Sequence, residues 1–87
     1  MIYLESAEYL KDYRLRLTFN TGETGEVDLS DLPALFDAAK PLQKLTEFKK
    51  FYLDEWPTLA WPCGFDLAPE MLYERATGKK HNFKEAI

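Results

Sequence analysis

The sequence predicts an α+β fold: a mostly antiparallel sheet of four to five strands, with a short middle helix and a C-terminal helix packed on one face. Three observations predict it. Tyr13, Leu15, Leu17 and Phe19 alternate with Arg14, Arg16 and Thr18, the period of two that marks a strand with one buried face. Pro69-Glu70 opens a stretch in which Leu72, Tyr73 and Ala76 share one helical face before Gly78 ends it. The chain has 87 residues, enough for one small domain.

Each element follows in order. Residues 2 to 10 form a first, less regular strand, joined to the second by a turn at Lys11-Asp12. The polar run Asn20-Thr21-Gly22-Glu23-Thr24-Gly25 is rich in turn formers. It leads to a third strand, in which Val27 and Leu29 alternate with Glu26 and Asp28. Arg14 and Arg16 share a face with Glu26 and Asp28, so cross-strand ion pairs are expected, at about 0.2–1 kcal/mol each.

Ser30 is a suitable N-cap, Asp31 suits the positive helix end, and Pro33 is tolerated in the first turn. Leu32, Leu35 and Phe36 then form the inner face of the short middle helix. Pro41 stops that helix, and Leu42 and Leu45 supply one more turn. Residues 47 to 54 carry two periods at once. Phe48, Phe51 and Tyr52 have helical spacing, while Lys49, Phe51 and Leu53 alternate with Lys50, Tyr52 and Asp54; the aromatic content favours a strand. Thr58-Leu59-Ala60-Trp61 is a short strand between Pro57 and Pro62, and Pro62-Cys63-Gly64 is a turn. The domain is expected to span residues 1–78. Residues 79–87, with Lys79, Lys80, His81 and Lys84, read as a flexible basic tail.

Composition narrows the function classes. An apolar share of 46% and an aromatic share of 15% exclude disorder. One cysteine excludes a disulfide scaffold and suits a reducing compartment, so a cytoplasmic location is expected. A net charge of −4 argues against direct nucleic-acid binding, which needs a basic footprint. Glu5 and Glu8 interrupt any leader-like stretch, and no apolar run approaches the ~20 residues of a membrane helix. The aromatic load predicts that some rings stay exposed, and so points to a protein partner or a homodimer.

Catalytic chemistry finds no support. Cys63 precedes a helix, but the one histidine is His81 in the tail, so no nucleophile–base pair forms; Cys63 reads as a small turn residue. One cysteine and one histidine lack zinc-ligand spacing. Glu70 and Glu74 share a helix face near Asp66, yet acids in a first turn complement the helix dipole without further purpose. Gly22 and Gly25 are not followed by the Lys-Ser or Lys-Thr of a phosphate loop. No catalytic, cofactor-binding or metal-binding residue is assigned, no cofactor is expected, and the chain is read as not an enzyme. Trp56, Trp61, Phe51, Tyr52 and Phe65 are candidates for an exposed aromatic patch, at least half of them core instead. Lys49 and Lys50 are placed to guard a sheet edge. The candidate interaction loop comprises Trp61, Cys63, Gly64, Phe65, Asp66 and Glu70.

The stretch Trp61-Pro62-Cys63-Gly64-Phe65-Asp66-Leu67-Ala68-Pro69-Glu70-Met71-Leu72-Tyr73 resembles the signature of a family of small bacterial proteins known only as domain of unknown function 2442. The family pattern looks like W-x-N-G-x-D-[LI]-x-P-E-x-L-Y. Asp12-Tyr13, Phe19 with its Gly-containing turn, and Val27-Asp28-Leu29 are similar to the family's N-terminal hairpin, so the resemblance covers about residues 3 to 75. Cys63 stands where the family usually has Asn. The resemblance implies a small α+β fold with a mainly antiparallel sheet. It also implies a regulatory setting, because some relatives carry a helix-turn-helix after this domain. Genes of the family often lie beside another small gene, and toxin–antitoxin pairing has been suggested for such pairs. The expected function is a small interaction module, the antitoxin-like partner of a neighbouring gene product. The alternative is a small-ligand-binding or transcription-regulatory accessory domain without its own DNA-binding part.

Overall fold

The computed structural model describes residues 1–55 and 57–79. Trp56 and the tail segment 80–87, including Lys80, His81 and Lys84, lie outside the described residues. The fold is α+β. Strands β1 (Leu4–Lys11), β2 (Arg14–Phe19) and β3 (Thr24–Asp28) form an antiparallel sheet in the order β1-β2-β3. The register pairs Leu17 with Ala7 on one side and with Gly25 on the other. Register shifts between Leu4 and Ser6 and between Tyr9 and Lys11 explain why β1 lacks a clean alternation in sequence.

The period of two in β2 sorts the two faces. Leu15, Leu17 and Phe19 are fully buried, and Val27 of β3 joins them. The outer face is polar, with Arg14 4.0 Å from Glu26 and Arg16 3.3 Å from Glu8. Of the expected ion pairs Arg14–Glu26 forms, whereas Arg16 takes its partner from β1 and not from β3. Helix α3 (Pro69–Thr77) covers the buried face with Leu72 and Tyr73. The Tyr73 ring meets Phe19 edge to face at 5.3 Å, the arrangement that ring quadrupoles favour. Gly25 lets the helix come this close: a Cβ there would lie 2.2 Å from the Ala76 carbonyl oxygen. It is a packing glycine inside β3, not the turn residue its neighbourhood predicts.

Between sheet and α3 the chain makes short helical pieces. Helix α1 (Leu32–Leu35) is followed by 3-10 turns over Asp37–Gln43 and by α2 (Leu45–Phe48). The expected Ser30 cap is not used. Asp31 is the N-cap residue, without a side-chain cap bond, and the Ser30 amide instead donates to Asp28 Oδ1 at 2.9 Å. Helix α1 ends at extended Phe36, so Pro41 falls inside the 3-10 segment and does not terminate α1. The strand expected over 47–54 is corrected to the end of α2, then β4 (Tyr52–Leu53). The Phe48 amide bonds to the Lys44 carbonyl at 3.0 Å, and burial of its ring decides the outcome: Phe48 lies 4.8 Å from Tyr13 and 5.9 Å from Trp61. Packing here overrides strand propensity.

Among the described residues strand β4 pairs only with β5 (Leu59–Ala60). The five strands thus divide into a sheet of three and a ribbon of two, where one sheet of four to five strands was expected. The Leu4 amide reaches the Pro57 carbonyl at 2.9 Å, so β1 touches this region without forming a ladder with it. A two-residue strand is too short to add a full edge. No helix among the described residues is long and apolar enough to cross a membrane.

Candidate functional site

The stretch that carries the family signature folds into a tight hairpin feeding α3. The Trp61 amide donates to the Phe65 carbonyl at 2.9 Å, Gly64 to the Trp61 carbonyl at 2.9 Å, and Leu67 to the Leu59 carbonyl at 3.1 Å. Ala60 and Asp66 form an isolated antiparallel bridge. Thr58, a buried polar residue, donates its hydroxyl to the Leu67 carbonyl at 2.5 Å. Gly64 at the apex has φ 99°, a conformation costly for any side chain. The turn and the Pro69 helix start are both where the sequence places them.

The candidate loop residues separate into two groups. Trp61 and Phe65 are buried, their rings 5.7 Å apart. The indole N–H of Trp61 donates to the Phe48 carbonyl at 2.8 Å. As contacts for a partner these two are corrected: they are core, fixed by their burial. Cys63 and Gly64 are exposed at the apex and Asp66 on the returning arm. Asp66 serves the turn through its backbone bridge and not through a capping carboxylate; the N-cap residue of α3 is Ala68.

Glu70 sits apart from that apex. It is half-buried in the first turn of α3 and, with Pro69, lines an open apolar groove of about 320 Å³. Met1, Ile2, Tyr3 and Pro57 form the other walls. Asn20 holds the N-terminal segment in place: the Tyr3 amide donates to its Oδ1 at 2.9 Å, and its Nδ2 donates to the Met1 carbonyl at 2.8 Å. Glu70 makes no ion pair or side-chain hydrogen bond among the described residues.

A second exposed surface was not anticipated. Leu32 is buried as expected, but Leu35 is 57% exposed and Phe36 37%. A helix of one turn, ended at Phe36, cannot keep all three side chains on one inner face. Phe36 rests on Phe65 at 5.4 Å, so this apolar pair continues onto the base of the hairpin. Of the aromatic candidates, Tyr52 is exposed and Phe51 half-buried. Lys49 lies over the Tyr9 ring at 5.0 Å, beside β1, and so covers that ring as well as any edge.

The charged groups near α3 bind the helix to the sheet. Lys79 Nζ and Tyr73 Oη both donate to the Glu23 carboxylate, at 2.8 and 2.5 Å, and Thr21 donates to it at 3.0 Å. These bonds, led by the one from Lys79, hold the Glu23 carboxyl down at about 2. The same contacts push the Tyr73 phenol and the Lys79 amine above their ordinary values. Arg75 grips Asp31 through both oxygens, at 2.9 and 3.1 Å. Among the described residues no group of three His, Cys, Asp or Glu could hold a metal ion.

The family model of the Protein of unknown function DUF2442 matches residues 4–78, and the chain belongs to that family. No curated protein matches it. A crystal structure from Nitrosomonas europaea, of a protein called a "putative DNA binding protein", shares 29% identity and superposes with a TM-score of 0.74. The match covers 90% of this chain and 50% of that one, so this chain spans half that protein's length.

Proposed function

We propose that this DUF2442 member is a non-catalytic protein-interaction module, the neutralising, antitoxin-like partner of a small basic protein. The observation that carries this reading is the exposed apolar pair Leu35 and Phe36, continuous with the hairpin base through Phe65. Large exposed apolar side chains in contact with one another mark interaction surfaces better than scattered ones. The net charge of −4 favours a basic partner.

The test is purification of the C-terminally tagged protein from its host, identification of what co-purifies, and reconstitution from the pure components. A stoichiometric small basic protein is expected, with binding lost in Leu35→Glu. Leu35 is exposed, so that variant folds and its failure to bind reports the surface. Recovery of this chain alone, or binding unchanged in Leu35→Glu, overturns the reading.

A second reading has its own support. The Nitrosomonas europaea protein, half of which this chain covers, is called a "putative DNA binding protein". This chain would then be a regulatory accessory domain of the kind found beside a DNA-binding part. A small molecule that saturates the pure protein, with no protein partner recovered, would favour it.

A further inference from the structure

We draw no further inference here: the strongest candidate, the outer edge of β3 left without a strand neighbour among the described residues, mixes the acids Glu26 and Asp28 with the cations Arg75 and Lys79 bonded at its two ends, and nothing in the structure shows what covers it.

Discussion

The sheet with its covering helix and the hairpin at residues 59–67 are held together in different ways. Helix α3 is bound to distant parts of the chain: Tyr73 and Lys79 to Glu23, Arg75 to Asp31, and the Ala76 backbone against Gly25. The backbone of the hairpin is closed by its own neighbours, Trp61 with Phe65 and Leu59 with Leu67, and a Cβ on its apex residue Gly64 would meet nothing within 4 Å. Two glycines express the contrast. Gly25 has an ordinary strand backbone and no room for a methyl group. Gly64 has open space around it and a backbone that only glycine adopts freely. The first is needed by a neighbour, the second by its own φ. A signature residue thus records either global packing or local geometry, and the structure tells which.

The largest expected effect follows from Gly25. Gly25→Ala places a methyl carbon 2.2 Å from the Ala76 carbonyl oxygen, against backbone that cannot rotate away. Either α3 lifts off the sheet or β3 shifts, and overpacking of this severity costs about 3 kcal/mol. Urea denaturation should show the loss, and amide exchange should place it along α3. A loss below about 0.5 kcal/mol would mean that α3 docks loosely, and the contrast between the regions would fail.

The two regions also differed in how far the sequence discloses them. β2, β3 and α3 are legible because one-sided burial imposes its period on consecutive residues: Leu15, Leu17 and Phe19 alternate, and Leu72, Tyr73 and Ala76 share a helix face. The turn at Gly64 and the helix start at Pro69 are legible because each requires a particular residue. Residues 31–55 are legible only in part, because α1 and α2 run four residues each and β4 two, too few for a helical or strand period to declare itself. There burial of single rings, Phe48 above all, decides the conformation. The candidate loop shows the same limit. Its residues do form one turn, but the packing of Trp61 and Phe65 inward and the emergence of Leu35 and Phe36 depend on contacts between segments that no local pattern encodes.

A medium effect is expected at Gly64. Gly64→Ala meets no steric neighbour but forces a methyl-bearing residue to φ 99°, which costs about 1–2 kcal/mol. Gly64→Asn should cost less, because asparagine tolerates positive φ better. Thermal unfolding of both variants reads the order. If alanine and asparagine prove equally harmless, the apex is free to change its turn, and the hairpin is not locally determined.

The smallest effect at neutral pH concerns Glu23, yet it has the clearest signature on titration. Its carboxyl is held at about 2 in the folded protein against an ordinary 4.5, so the unfolded chain takes up the proton first as the pH falls. The contribution of this group is fully present above about pH 4.5 and is lost progressively between 4.5 and 2. Glu23 is a surface residue, exposed to screening, so its share at pH 7 is small. Glu23→Gln keeps one acceptor oxygen, enough for Tyr73 but not also for Lys79, and removes the titration. Its stability should therefore fall less steeply than the parent's across that window, and the two curves should converge near pH 2. Added salt should narrow the gap above pH 4.5, since the strongest of the three contacts is the exposed pair with Lys79. Parallel curves in the two proteins would mean that the Glu23 cluster does not form in solution, and that α3 is held against the sheet by apolar packing and the Arg75–Asp31 pair.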